Sequence, residues 1–288
     1  MKRSFFAGPY GLWMALFTVV PIFLIVYYAF TGYAGGFSLE NFRLFLEPEF
    51  IGILTFSLWL AFLCTVLCLL IGYPAALFLA ARDLRRASVI VVLFVLPMWM
   101  NFLLRTYAWM TLLEDTGLIN RFFKWIGIGR IKLMYTENAV LMGMVYNYLP
   151  FMVFPIYSVL RKNDDSLLEA AQDLGANAWG SFWRVTFPLS VPGIVSGVTM
   201  VFMPAVTTFV IPRLLGGGMF MMFGDLIENQ FLTTGDWNFG SALSLIMMVL
   251  LVPSVMLSNP NPGSILEIKG PRPTCPPHVN AVSPLEIM

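Results

Sequence analysis

Residues 161–188 read Arg161-Lys-Asn-Asp-Asp165-Ser-Leu-Leu-Glu-Ala170-Ala-Gln-Asp-Leu-Gly175-Ala-Asn-Ala-Trp-Gly180-Ser-Phe-Trp-Arg-Val185-Thr-Phe-Pro188, a polar insert between two long apolar runs. Ser166-Leu-Leu-Glu169 has the spacing of a capping box, in which the serine hydroxyl and the glutamate carboxylate satisfy free amide donors at a helix start. The spacing predicts a helix of about two turns ending at Gly175, the residue type that best accepts a left-handed C-cap. Asn177 is placed to cap a second helix over Ala178–Thr186, and Pro188 is expected to end it. A helix–glycine–helix element exposed between apolar runs suits docking. Alanines and a glycine let a partner's backbone approach, while the carboxylates Glu169 and Asp173 orient it.

The flanking sequence is that of a membrane protein. Hydrophobic residues make up 58% of the chain and charged residues 11%, with a mean hydropathy of +0.79, far from the balance of soluble domains. Runs of about 20 apolar residues are long enough to cross the hydrocarbon core. Six are present: Tyr10–Phe30, Ile53–Ala81, Ser88–Leu113, Ala139–Leu160, Val191–Leu215 and Phe239–Leu257. The expected fold is therefore an all-α membrane protein of about six transmembrane helices, embedded in the lipid bilayer. It divides into an N-terminal helix and outer loop (1–52), a five-helix core (53–257) and a tail (258–288). The first run is too long, and too lacking in a small-residue cleavage site, for a removable signal peptide. The tail is proline-rich and loses the apolar pattern, so it reads as disordered, or as a non-native ending such as a frameshift.

Several function classes are excluded. A net charge of +1 and the absence of a basic, aromatic-interleaved patch give no reason to expect nucleic acid. The single histidine, His278, lies in the tail, so histidine-based catalysis or metal binding within the spans is excluded. Cys64 and Cys68 stand one helical turn apart in an apolar run without polar companions, as packed small residues do. No catalytic residue, metal site or cofactor is expected in this chain. Nor is there a G-x-x-x-x-G-K-[ST] phosphate loop, so ATP chemistry, if used, belongs to a partner.

Lysine and arginine set the orientation. Lys2 and Arg3, Arg82, Arg85 and Arg86, and Arg161, Lys162 and Arg184 fall on one side, which is expected to be cytoplasmic with both termini. The opposite loop also holds Arg121, Lys124, Arg130 and Lys132. Its Leu118, Ile119, Phe122, Phe123, Trp125 and Ile126 suit an amphipathic helix along the outer interface.

Polar groups inside apolar runs are candidate pathway residues, because charge at membrane depth is costly. Arg105, following Trp99 and Asn101, is either a pathway-lining group or a cation snorkelling among belt aromatics. Tyr146, Asn147 and Tyr148 beside Pro150 suit either a cavity wall or helix–helix hydrogen bonding. Thr207 and Thr208 read as bonded back to their own helix, and Gly216-Gly217-Gly218 as a flexible external turn. The prolines at 21, 74, 97, 150, 155, 204, 212 and 253 read singly as kinks. Those at 192, 204 and 212 together suggest a bent fifth span lining a pathway. Asp225, Glu228, Asp236 and Trp237 combine carboxylates with an aromatic face, which suits either a cationic solute or ordinary solvation of a loop.

The order Glu169-Ala170-Ala171, three residues, Gly175, nine residues, Val185-Thr-Phe-Pro188 resembles the coupling loop of bacterial ABC importer permeases. Val185 and Phe187 stand where that family has isoleucine and leucine. Three further stretches are similar to the spermidine/putrescine branch: Leu96-Pro-Met-Trp-Met-Asn-Phe-Leu-Leu-Arg105-Thr-Tyr, Tyr146-Asn-Tyr-Leu-Pro150-Phe, and Gln230-Phe-Leu with Asp236-Trp-Asn-Phe-Gly240. The similarity runs over about residues 8–257 and stops at the tail. It implies a type I ABC importer permease fold in the bacterial inner membrane. It also implies an ABC ATPase pair binding ATP and Mg, a second permease subunit and an extracytoplasmic solute-binding protein. Polyamine import is the implied function. Another small cationic or polar solute is the alternative within that class. A secondary transporter or channel is less favoured, for want of half-to-half similarity, and a membrane enzyme for want of a catalytic motif.

Overall fold

The computed structural model describes residues 3–258, with the exception of residues 34, 82–97, 128 and 163–164. Arg82, Arg85, Arg86, Pro97, residues 88–97 of the third apolar run, and the tail after 258 lie outside the described residues.

Among the described residues, four helices have the length and apolarity to cross a membrane. Helix α1 covers 3–29, as Arg3–Met14, a π turn Ala15–Val19 and Val20–Ala29. After the short α2 (Glu40–Phe45) comes α3 (Pro48–Ala80). Helices α4 (Phe102–Leu113) and α5 (Leu118–Ile126) precede α6 (Glu137–Lys162) and α7 (Asp165–Asp173). Helix α8 spans Ala178–Thr207. It is followed by the short α9 (Val210–Leu215) and α10 (Phe223–Asn229, continued by a π turn Gln230–Thr234). The last helix, α11, is Trp237–Ser258, of which Trp237–Pro253 is a shorter apolar stretch.

Helix α6 is the centre of the bundle, packed along α3 on one side and α8 on the other. Its Met144, Met152 and Ile156 are fully buried, as are Cys64 and Cys68 of α3 and Val201 and Ala205 of α8. Lipid tails are as apolar as leucine, so helices in a bilayer associate through close packing more than through hydrophobic transfer. Gly193 and Gly197 supply that approach on α8. A Cβ at Gly193 would lie 3.0 Å from the Ile156 Cα, and one at Gly197 would lie 2.8 Å from the Met152 Sδ. The pairs 193–156 and 197–152 run in opposite order, so α8 is antiparallel to α6. Cys68 Sγ reaches the Val145 carbonyl at 3.7 Å and Arg161 the Ala80 carbonyl at 3.4 Å, so α3 and α6 run parallel. Helix α11 packs on α1, whose Trp13, Phe17 and Phe23 point outward as side chains facing lipid do.

The structure departs from the sequence reading at helix ends. Helix α3 begins at Pro48, so the expected boundary at residues 52/53 falls inside a helix. Ser166 is not an N-cap, because Asp165 is already helical. Asn163, Asp164 and Asp165 are all cap-forming residue types that precede the serine, so nothing local favours the later start. Asn177 does cap α8, its Oδ1 accepting from the Gly180 amide at 2.8 Å. Pro188, however, does not end the helix. A π turn over Phe182–Thr186, closed by Phe187 N–H donating to the Phe182 carbonyl, opens the ladder just ahead of it. The proline then sits in the first turn of the resumed α segment, where a missing N–H is tolerated. Pro21 of α1 follows its π turn in the same way.

The fifth expected span, Val191–Leu215, is not one helix. Thr208 is extended (φ −66°, ψ 141°) and ends α8, and α9 starts afresh at Val210. Pro212 explains the restart. In an uninterrupted helix it would lose a bond to residue 208, whereas in the first turn of α9 its missing N–H has no partner to lose. Pro192 and Pro204 therefore lie inside α8, whereas Pro212 belongs to α9 and is not part of the same span helix.

Candidate functional site

At one end of the bundle, α7 lies across the ends of α3, α6 and α8. Its C-cap is a Schellman motif. Gly175 N–H donates to the Gln172 carbonyl at 2.8 Å and Ala176 N–H to the Ala171 carbonyl at 3.0 Å, with Gly175 at φ +83°. Glu169, Ala170, Asp173 and Gly175 are exposed, Ala171 is half-buried, and Leu174 is 90% exposed. Trp179 and Trp183 on the first turns of α8 are also exposed. This end thus offers an apolar, small-residue surface with carboxylates at its margin. Beneath α7 is a cavity of about 400 Å³ lined by Leu77, Ala80, Leu160, Leu168, Phe182 and Leu189. Ser181 also lines it, and its buried hydroxyl has no hydrogen-bond partner.

The other candidate residues lie on α4, α6, α10 and the start of α11, and α9 packs on both α4 and α6. Asn101 is the N-cap of α4, its Oδ1 accepting from the Leu103 amide at 2.9 Å. The preceding Trp99 is almost fully exposed. Arg105 places its guanidinium carbon 5.8 Å from the Tyr146 ring centroid on α6, and Trp109 meets the same ring edge-on at 5.1 Å. Asn147 is buried and donates to the Gly143 carbonyl of its own helix at 2.7 Å. Its neighbour Tyr148 makes the cross-helix bond, donating to the Pro204 carbonyl of α8 at 3.2 Å. That carbonyl is in the last turn of α8, where the Thr207 hydroxyl also approaches it at 3.5 Å.

Asp225 and Glu228 sit one turn apart on α10 and share one cation, Arg213 of α9. The Arg213 Nη2 is 2.8 Å from the Asp225 Oδ1 and also bonds the Glu228 Oε2, while Nη1 reaches the Glu228 Oε1 at 3.0 Å. Burial raises the Asp225 carboxyl above its ordinary value, and the Arg213 charge offsets part of that rise. Asp236 stands apart from this cluster and is structurally engaged. Its Oδ1 caps α11 by accepting from Phe239 N–H at 3.0 Å, and its Oδ2 accepts from the Tyr33 hydroxyl. Trp237 packs its ring against Phe231 and Tyr28. Burial, and then Asp236 beside it, push the Tyr33 phenol up to about 12. Gly217 and Gly218 adopt positive φ in the turn after α9, and the Tyr135 ring packs directly on Gly217.

Residues 70–259 match the family described as the binding-protein-dependent transport system inner membrane component. This chain belongs to that family. It is 37% identical over 247 residues to the spermidine/putrescine transport system permease protein PotB of Escherichia coli (strain K12), covering 83% of this chain and 90% of that protein. The inner membrane ABC transporter permease protein YdcU of the same organism is 26% identical over 228 residues, 74% of this chain and 72% of that one. A crystal structure of a bacterial alginate ABC transporter, in complex with its alginate pentasaccharide-bound periplasmic protein, contains a chain with the same fold. Its TM-score is 0.75 at 18% identity, covering 90% of this chain and 93% of that one.

For this multi-pass inner-membrane permease, the sequence reading passed over Arg213, Tyr33 and Ser181, while the helix–helix hydrogen bonding it offered for Tyr146, Asn147 and Tyr148 is made by Tyr148. Within a single span ending at Leu215, Arg213 reads only as a cation at the interface. Its carboxylate partners are twelve and fifteen residues away, across a glycine turn that no local pattern bridges. Tyr33 and Asp236 are separated by 203 residues.

Proposed function

We infer that this chain is the transmembrane permease subunit of an ATP-driven polyamine importer, moving spermidine or putrescine across the inner membrane. The observation that carries this reading is the 37% identity over 247 residues to PotB, which spans 90% of that protein. The exposed α7 end is the surface for a pair of ABC ATPase subunits, which bind the ATP and Mg that this chain does not. Glu169, Ala170, Ala171, Asp173 and Gly175 contact them, and Pro188 lies in the helix that carries the stroke. A second permease subunit completes the pathway, and an extracytoplasmic solute-binding protein delivers the solute at the opposite end. Both termini are cytoplasmic.

The geometry supports coupling between the two ends. Helix α8 runs 30 residues from the α7 loop to Thr207, on the order of 45 Å at 1.5 Å per residue. At its far end Gly224 of α10 is wedged against it: a Cβ there would lie 2.2 Å from the Thr207 carbonyl oxygen. Displacement of the capped loop can therefore be passed along one continuous helix to the element bearing Asp225 and Glu228. ATP binding favours one access state only through its different affinity for the two conformations. The candidate pathway residues are Trp99, Asn101, Arg105, Tyr146, Asn147, Asp225, Glu228, Asp236 and Trp237. Of these, Asp225 and Glu228 offer the geometry best matched to ammonium groups.

The test is ATP hydrolysis by the purified complete complex. Spermidine-loaded solute-binding protein should stimulate it over the unloaded protein, and equal rates with both would contradict the reading. A cysteine probe at Lys124 should be labelled from outside the membrane, and labelling from the cytoplasm alone would overturn the orientation.

A further inference from the structure

Arg213 lies at the one place in the described structure where two carboxylates converge on a single cation. Its two terminal nitrogens span both carboxylates, with Nη2 shared between Asp225 and Glu228. The anions and the cation differ in how firmly they are held. The Asp225 side chain is 9% exposed and that of Glu228 21%. Both ride on α10, whose first turn is fixed by the Gly224 contact with Thr207 and by Phe223 N–H donating to Ser57 Oγ of α3 at 2.8 Å. The Arg213 side chain is 47% exposed, and rotation about its flexible stem frees the guanidinium without unpacking Ile211 and Leu215, which are fully buried.

This arrangement discriminates by valence. With Arg213 seated, two negative charges meet one positive charge, and the guanidinium occupies both carboxylates in a fork that a single ammonium cannot reproduce. A monovalent amine can replace only one of the two contacts, leaving the other carboxylate competing for the arginine. A linear aliphatic amine with two or more ammonium groups can take both. We propose that Arg213 is a specificity-determining residue of the pathway, an internal counter-ion on Asp225 and Glu228 that only a polyvalent amine displaces. The proposal rests on the polyamine reading and adds to it the residue that rejects monoamines.

The test uses the complete complex, this chain with its ATPase pair and second permease, in nanodiscs without the solute-binding protein. Binding of radiolabelled spermidine is competed with n-butylamine, a single-ammonium probe. Wild type should resist the monoamine, while Arg213→Gln should bind spermidine more tightly and let butylamine compete about tenfold better. Adding Glu228→Gln to Arg213→Gln should abolish that gain. Should Arg213→Gln fail to assemble, Arg213→Lys carries the test. It keeps the charge but loses the fork, and should shift competition in the same direction by a smaller factor. Equal butylamine competition in wild type and the assembled variant, or loss of spermidine binding in Arg213→Gln, overturns the role of Arg213. So does a wild type that transports spermidine normally while neither it nor the variant binds spermidine in the nanodiscs. A wild type that takes up no polyamine with its cognate binding protein overturns the polyamine reading instead.

Discussion

The amide of Ala176 donates to the carbonyl of Ala171 at 3.0 Å, closing the loop after α7 around a glycine at φ +83°. The space around Gly175 is open, with no heavy atom within 4 Å of an added Cβ. Any intolerance at this position within the chain therefore comes from the backbone, where a left-handed residue bearing a Cβ costs roughly 1–2 kcal/mol. Gly175→Val should insert into the membrane normally but lose the ATPase subunits during co-purification. Gly175→Asn, whose side chain tolerates that conformation, should keep them. Glu169→Lys should lose them by reversing charge at the exposed face. Intact complexes from both Gly175→Val and Glu169→Lys would remove this loop from the coupling interface.

Tyr148 and Pro204 tie α6 to α8 through a hydrogen bond from the tyrosine hydroxyl to the carbonyl near the end of α8. Tyr148→Phe keeps the ring and deletes the bond, so it should cost on the order of 1 kcal/mol. Thermal unfolding of the detergent-purified protein should show a small decrease in Tm with assembly intact. An unchanged Tm would mean that the bond adds nothing to the packing already supplied by Gly193 and Gly197.

The long apolar runs were legible because hydropathy averages over a window, and the Asn177 cap and the Gly175 stop because each depends on a local residue type. Pro188 and Pro212 show where such reading fails. Both look like helix terminators, yet a π turn carries the helix through the first, while the second sits just inside a new one. The deciding features are the hydrogen-bond shift over Phe182–Thr186 and the extended Thr208, which residue type alone does not announce. Of the candidate pathway residues, the sequence pointed to Asp225 and Glu228 but hid their counter-ion, and it grouped Asp236 with them although that residue caps α11.

Tyr33 gives a pH-dependent signature of the contact between the loop after α1 and the start of α11. Its phenol is pushed up to about 12, first by burial and then by its bond to Asp236. The sign follows from a folded value above the ordinary 10. The contact is fully present below pH 10 and is lost as pH rises through about 12. Ultraviolet difference titration of wild type against Tyr33→Phe should show this tyrosine ionising late. In Asp236→Asn it should ionise earlier. Ionisation near 10 in wild type would mean that the Tyr33–Asp236 contact does not form.

The most direct test of the account is uptake of radiolabelled spermidine into vesicles holding the complete transporter, with ATP inside the ATPase-bearing compartment and the cognate solute-binding protein on the other side. The account predicts ATP-dependent accumulation that requires the binding protein. Uptake should fall several-fold more than assembly in the Asp225→Asn, Glu228→Gln double variant, since each carboxylate–ammonium contact in a partly wet site contributes about 1 kcal/mol. No accumulation of spermidine or putrescine by the assembled, ATP-hydrolysing wild-type complex would contradict it.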